Sequence, residues 1–369
     1  MNRILNVSPG PTSLPYNVFK NIQINMNSRF INGKSPLEMS HRSNEFLYLL
    51  KNIKYKLRNF MDIPSNYSIL FTQGGASAQF SSIMYNLRNY NNALYITNGL
   101  WSQKAYNETH KFVINADKMN IFDYHYDKKN NKLKNYDYIY FCNNETVDGI
   151  ELNKNTISYP VRTHDNCLII SDMCSSFGQR IINWKDFDIV FASTSKNMGI
   201  AGTNILIINN ELLNKLPNNN NIPSILDWKL NYNTDSLYNT PCVFNFYVLN
   251  EMLEYYINQG TIYDFDKLTN EKGNIIYDVL DNHNILTPIV DNKKLRSNIS
   301  IPFKFNNFFH FNYSVQNYKF LKYCEENDII GLKTDIPFDN EVPPLRINLY
   351  NHLSLEDTKH IAQIIKNYK

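Results

Sequence analysis

Two regimes of hydrophobic and polar positions follow one another along this chain. Short apolar runs recur at Ser68–Phe71, Ala93–Thr97, Tyr138–Cys142, Cys167–Ser171, Ile189–Ser193 and Asn204–Ile208. Runs of that length, bounded by polar or glycine-containing turns, predict strands buried on both faces. Elsewhere the period becomes helical. Phe46, Leu49, Leu50, Ile53, Leu57 and Phe60 fall on one helical face, with Ser43 placed to cap the N-terminus. A later helix carries Phe246, Val248, Leu249, Met252, Leu253 and Ile257 and stops at Gly260. The last opens on Ser354-Leu355-Glu356-Asp357, a capping-box pattern, and turns Leu355, Ile361, Ile364 and Ile365 inward. Leu345–Asn351 reads as an alternating strand with a single arginine, Arg346. Strands alternating with helices predict an α/β fold with a doubly wound, mostly parallel sheet, and Gly260 marks a domain boundary.

The chemistry-bearing residues gather where these strands end. Ile189–Ser193 runs into Thr194-Ser195-Lys196, and a lysine desolvated at the mouth of a sheet can lose its proton and attack a carbonyl. Ser68–Phe71 leads into Thr72-Gln73-Gly74-Gly75-Ala76-Ser77, a glycine pair opening a helix, which suits a nest of N–H groups for a phosphate. The other strand ends bring Trp101, Thr146 and Asp172. Taken singly, Trp101 fits a core residue, Thr146 a turn cap and Asp172 a helix cap. Together they mark the carboxyl edge of a doubly wound sheet, where ligands bind. His41 and Arg42 stand at the mouth of the helix that begins after Ser43, a position that favours anions.

Composition narrows the class. The chain has 369 residues, 43% of them apolar, enough for more than one core. Its 37 basic and 34 acidic residues leave +3, and the basic residues form no stripe, so a nucleic-acid partner is not expected. No apolar run reaches the length of a membrane span, and the N-terminus lacks the apolar stretch of a signal peptide. The five cysteines (142, 167, 174, 242 and 324) show no C-x-x-C spacing, as expected of reduced thiols in a cytoplasmic protein without a metal site.

In order along the chain stand Ser-Pro-Gly-Pro, Ser-His-Arg-Ser, Gln-Gly-Gly-Ala-Ser, Gly-Leu-Trp, Asn-Glu-Thr-Val-Asp-Gly, Ser-Asp-Met, Ser-Lys-Asn-Met-Gly, Tyr-Asn-Thr-Pro and Arg-Ile-Asn-Leu-Tyr-Asn. With these motifs the chain resembles the phosphoserine aminotransferases, fold-type-I enzymes dependent on pyridoxal 5′-phosphate. The resemblance implies a large cofactor domain (16–260) and a smaller α+β domain made of 1–15 and 261–369. It further implies a homodimer with shared active sites. Lys196 would bind the cofactor and shuttle a proton, and Asp172 would pair with the ring nitrogen. Trp101 would stack on the ring, Thr146 would bond near its hydroxyl, and Ala76, Ser77 and Ser195 would hold the phosphate. Asn239 and Thr240 would reach that phosphate from the partner subunit. Arg346 would clamp the substrate carboxylate, and His41 and Arg42 would receive the distal acid. The implied reaction interconverts O-phospho-L-serine and 2-oxoglutarate with 3-phosphohydroxypyruvate and L-glutamate in serine biosynthesis, with pyridoxine biosynthesis a second pathway open to the same chemistry.

Three departures bear on specificity. Ser195 replaces the family's usual glutamine, Ser77 a frequent arginine, and Lys333–Pro344 a Lys-Gly-His-Arg-Ser-Val-Gly-Gly stretch whose His-Arg pair helps hold phosphate. Two alternatives therefore stand beside the main reading: an aminotransferase of alanine–glyoxylate type with an unphosphorylated acceptor, and a decayed, non-catalytic dimer that still binds pyridoxal phosphate.

Overall fold

The structure is a computed structural model, and the residues it describes are 4–27, 35–112, 115–153, 157–217, 221–306, 313–332 and 344–369. A seven-stranded sheet runs through the larger part. Its spatial order is Tyr67–Gln73, Thr203–Asn209, Ile189–Ser193, Leu168–Asp172, Tyr138–Cys142, Asn92–Ile96 and Asn115–Met119. Thr203–Asn209 is antiparallel to both neighbours; the other pairings are parallel. Parallel strands turn their carboxyl ends to one edge, so Cys142, Asp172 and Ser193 finish side by side.

The six apolar runs form six of the seven strands, the five central ones and the edge strand Tyr67–Gln73, because helices cover both faces. Phe71, Phe141, Val190 and Ala192 belong to one apolar core, Leu70, Tyr140, Ile189 and Phe191 to another on the opposite side. Asn115–Met119 has no such run; it is an edge strand without a buried residue. The helix expected after Ser43 spans Asn44–Phe60, and its buried residues are the six that the periodicity names. Ser43 Oγ accepts the Phe46 N–H at 3.3 Å, which satisfies one of the unpaired donors of the first turn. Phe246, on the helix Val243–Gln259, meets Phe46 edge-to-face at 5.4 Å and Phe71 at 5.0 Å between centroids. Ile257 is 43% exposed, and Tyr256 takes the inward place instead.

A three-stranded antiparallel sheet, Leu286–Pro288, Ser300–Phe305 and Leu345–Asn348, carries the C-terminal part with the helices Ile262–Asp281, Tyr313–Glu326 and Leu355–Asn367. Ser354 and Asp357 form the expected capping box. Leu345–Asn348 differs from the alternating strand expected of it. All four residues are buried, because its polar face looks onto the rest of the protein and not onto solvent. The N-terminal arm joins this part: Leu5–Asn6 pairs in parallel with Ile329–Ile330, and Leu5 and Val7 share a core with Ile276, Phe303 and Ile361. The helix Ile262–Asp281 spans two cores, with Ile262 and Phe265 in one and Ile276 and Leu280 in the other. Among the described residues, no helix is long and apolar enough to cross a membrane.

Lys272, on that helix, is fully buried, and its Nζ donates to the carbonyls of Leu349, Tyr350 and Leu353 at 3.1, 3.1 and 3.2 Å. As an ammonium the side chain has three donors for these three acceptors, which pin the turn that follows Arg346. Burial pushes the Lys272 pKa from 10.5 to about 7, with Asp357 opposing the fall and Arg180 assisting it. Above pH 7 the unfolded chain therefore binds a proton that the folded chain has released, so this group's contribution to stability rises with pH up to 10.5. Denaturation curves of wild type and Lys272→Met at pH 7 and pH 9 should show wild type gaining about 2 kcal/mol on the variant. Parallel behaviour at the two pH values would mean that the lysine stays protonated.

Candidate active site

At the carboxyl edge of the large sheet lies a cleft of about 440 Å³. Its lining includes Ala76, Ser77, Trp101, Thr146, Asp172, Ser195, Lys196 and Arg346, all singled out from the sequence. Gly74 and Gly75, at φ of 83° and 61°, turn the chain from the strand Tyr67–Gln73 into the helix Gly75–Asn86. A side chain at such φ would clash with its own backbone, so the glycines permit the turn. The turn directs the helix N-terminus, with Ala76 and Ser77, at the cleft.

The lysine is held from four directions. Thr12 Oγ1 donates to the Lys196 carbonyl at 3.0 Å, and the Thr12 N–H donates to that of Ser195 at 3.2 Å. The next residue, Asn197, is 3% exposed. Its Nδ2 donates to the Phe177 carbonyl at 3.0 Å and to Gln179 Oε1 at 2.9 Å, while its Oδ1 accepts the Asn351 N–H at 3.1 Å. Tyr256 Oη donates to the Asn197 carbonyl. The N-terminal arm is thus part of the site, and Pro9, Gly10 and Pro11 line the cleft.

Burial alone would lower the pKa of Lys196, as the sequence suggested, but Tyr350, Cys174, Asp172 and Cys142 outweigh it and hold the ammonium above its ordinary value. Burial raises Tyr350, Cys174 and Cys142 in turn, so at neutral pH they are protonated and uncharged. Asp172 is the charge among the four. Its own carboxyl is raised by burial, against the hydrogen bond from the Cys174 N–H at 2.9 Å and the pull of Lys196. Burial disfavours the ammonium form of the unliganded lysine, and the Asp172 carboxylate beside it favours that form.

Trp101 opens the helix Leu100–Thr109, and its Nε1 donates to Thr146 Oγ1 at 2.8 Å. Its ring centroid lies 5.9 Å from Lys196 Nζ. Arg346 is 3% exposed; it donates through Nη1 to the Thr146 carbonyl, while its buried Nε has no hydrogen-bond partner among the described residues. That idle donor, on a guanidinium lining the cleft, suits a carboxylate ligand. His41, Arg42, Asn239 and Thr240 do not line the cleft. Arg42 and Thr240 are exposed, His41 and Asn239 half-buried. Lys333 and the altered stretch up to Pro343 lie outside the described residues. Sequence reasoning missed Glu145 and Asp148, which bond the helix of Trp101, and Tyr350, whose Oη donates to the Pro9 carbonyl at 3.0 Å. The two carboxylates stand in the motif that yielded Thr146, and only their cross-chain partners reveal them.

The chain belongs to the class-V aminotransferases: that family's model matches residues 4–330. More narrowly, it belongs with the phosphoserine aminotransferases. It is 32% identical over 378 residues to the phosphoserine aminotransferase of Buchnera aphidicola subsp. Cinara cedri, covering 100% of this chain and 99% of that one. It is 34% identical over 376 residues to a probable phosphoserine aminotransferase of Caenorhabditis elegans, covering 100% and 97%. The crystal structure of a phosphoserine aminotransferase from Trichomonas vaginalis with pyridoxal phosphate bound superposes with a TM-score of 0.87 at 26% identity, over 99% of this chain and 100% of that one. The protein is a transaminase whose cofactor is pyridoxal 5′-phosphate. The cleft fits that group: it offers a buried carboxylate, an indole, a lysine and a helix N-terminus opened by two glycines.

Proposed function

We propose that this chain transfers the amino group between O-phospho-L-serine and 2-oxoglutarate, yielding 3-phosphohydroxypyruvate and L-glutamate, in serine biosynthesis. The observation that carries the proposal is the convergence of Lys196, Asp172, Trp101 and Arg346 on one cleft in a chain related end to end to enzymes of that name. That convergence also speaks against a decayed dimer, since loss of function gives no reason to keep all four in place.

Bound pyridoxal phosphate supplies an electrophilic carbonyl and a ring that withdraws electrons from the substrate Cα. Asp172 would hold its ring nitrogen, Trp101 its face and Thr146 its hydroxyl. The N–H groups of Ala76 and Ser77, with Ser195, would hold its phosphate. Lys196 Nζ, tethered through the backbone bonds on either side of it, would take and return the substrate Cα proton. Arg346 would grip the α-carboxylate and so orient the bond to be broken. The Pro9–Pro11 arm would narrow the entrance to water.

The same reading assigns residues 16–260 to the cofactor domain and 1–15 with 261–369 to the small domain, which the shared core of Leu5, Val7 and the C-terminal helices supports. It makes the protein a homodimer with shared sites. Asn239 and Thr240 would serve the partner's cofactor phosphate, and His41 and Arg42 the distal substrate acid. Their position outside the cleft of their own chain supports this. The unpaired cysteines support the cytoplasm as its compartment.

A glutamate-dependent assay on purified protein tests the reaction. Turnover of 3-phosphohydroxypyruvate well above that of glyoxylate or pyruvate is expected; the reverse would favour the alanine–glyoxylate type. Lys196→Ala should abolish turnover while fold and assembly survive, and borohydride should label Lys196 in the wild type. Turnover in that variant without added amine would sink the assignment.

Subunit exchange tests the dimer. Lys196→Ala protein mixed with an Asn239→Ala/Thr240→Ala double variant should regain activity, because one site of each heterodimer is intact. No recovery after verified exchange would exclude shared sites. For the distal acid, Arg42→Ala should raise the KM of the phosphorylated acceptor and of glutamate roughly tenfold, the scale of a charge-assisted hydrogen bond to either acid. Lys333→Ala should change them much less, and equal small effects would place the phosphate elsewhere.

A further inference from the structure

The turn Asn143–Gly149 does more than present Thr146. Glu145 is fully buried, and its carboxylate accepts the Trp101 N–H at 2.9 Å on one oxygen and the Ser102 N–H at 2.8 Å on the other. Asp148 Oδ2 accepts the N–H of Leu100 at 2.8 Å. Two side-chain carboxylates therefore bind three successive N–H groups in the first turn of the ten-residue helix Leu100–Thr109, where the helix dipole favours negative charge. The approach is so close that a Cβ on Gly99 would lie 2.3 Å from Asp148 Oδ2 and 2.8 Å from Glu145 Cδ. Between the two carboxylates, Thr146 takes the indole hydrogen bond through its side chain and that of Arg346 through its carbonyl. One turn thus fixes the backbone of Trp101, the rotation of its ring and one arm of the arginine.

We propose that Glu145 is a positioning residue of the transamination site: its carboxylate anchors the helix end that carries Trp101, and its protonation state sets where the indole stands. The proposal rests on the functional reading only in taking Trp101 to face the cofactor.

The electrostatic setting makes the anchor titratable. Burial, aided by the negative charge of Asp148, pushes the Glu145 carboxyl from 4.5 to about 7, although the Ser102 and Trp101 hydrogen bonds pull it down. The neighbouring strand contributes Tyr140 and Cys142, both uncharged at neutral pH because burial raises them. From the small sheet Arg346 is coupled to Asp148, and Lys104 lies 4.6 Å from the Trp101 ring centroid on the helix itself. Below pH 7 the carboxyl is protonated, and the charge-assisted part of both hydrogen bonds is lost. For stability the sign is opposite. Between 4.5 and 7 the folded chain holds a proton that the unfolded chain has released, so ionising Glu145 costs stability as pH rises. The site thus keeps a carboxylate that holds the ring at the expense of the fold, which a purely structural residue would not do.

Three readouts on the full-length protein test this. Tryptophan emission scanned from pH 5.5 to 8.5 should show an inflection near 7 in wild type that is absent from Glu145→Gln and from Trp101→Phe. Asp148→Asn, which removes the charge that raises Glu145, should move the inflection to lower pH. At pH 8, Glu145→Gln should melt no lower than wild type yet bind pyridoxal phosphate roughly tenfold more weakly, the scale of one charge-assisted hydrogen bond. An inflection that survives in Glu145→Gln, or unchanged cofactor affinity in that variant, would overturn the proposal. Should that variant fail to fold, Asp148→Asn decides alone, and a midpoint that stays put or rises overturns it. Wild-type protein that bound no cofactor would overturn the functional reading instead, while the inflection and its displacement would still decide the role of Glu145.

Discussion

Asn197 is the knot on which the site depends. Through its side chain and backbone it joins the segment Phe177–Gln179 after the strand Leu168–Asp172, the helix bearing Tyr256, and the turn bearing Asn351. The residue before it is clasped by Thr12 from the N-terminal arm. A lysine side chain has many rotamers, and ordering it for chemistry costs entropy. Fixing the backbone on both sides of Lys196 from segments far apart in sequence makes that cost part of folding rather than part of each turnover. The same bonds place a polar side chain in the interior with its amide donors satisfied, which keeps its burial from being a liability.

A second tie runs through the turn after Arg346. Lys272 holds its carbonyls, Tyr350 reaches the arm at Pro9, and Asn348 donates to the Val7 carbonyl through both its side chain, at 2.9 Å, and its backbone N–H, at 3.0 Å. The guanidinium that faces the cleft is therefore referenced to the same arm that clasps the lysine. Lysine, arginine and tryptophan come from different parts of the chain, yet each is fixed through elements that also fix another.

Much of this was legible in the sequence, for a physical reason that also marks its limit. Strands buried on both faces must be apolar throughout, so the central strands announced themselves; the edge strand Asn115–Met119, without a buried residue, left no pattern to read. Leu345–Asn348 mimicked a half-solvated strand because its polar residues face other parts of the protein, Arg346 the cleft and Asn348 the carbonyl of Val7. The site residues at strand ends were legible through the topology rule that gathers ligands there. Glu145, Asp148, Tyr350 and Lys272 were not, since their roles lie in hydrogen bonds to residues 43 to 341 positions away, which local spacing does not encode.

The parallel pairing of Leu5–Asn6 with Ile329–Ile330 has a consequence for how the molecule is made. Leu5–Asn6 is synthesised long before the strand it pairs with, so this strand has no partner in the interval. Domains fold in the order in which they emerge, and long-range pairings wait on loop closure. The large sheet can assemble with its strand ends aligned while Leu5–Asn6 is still unpaired and Arg346 is still absent. A nascent chain thus carries a groove that is complete only when the segment bearing Ile329–Ile330 and Arg346 has docked, and completion of the catalytic pocket doubles as a check that this segment has been delivered.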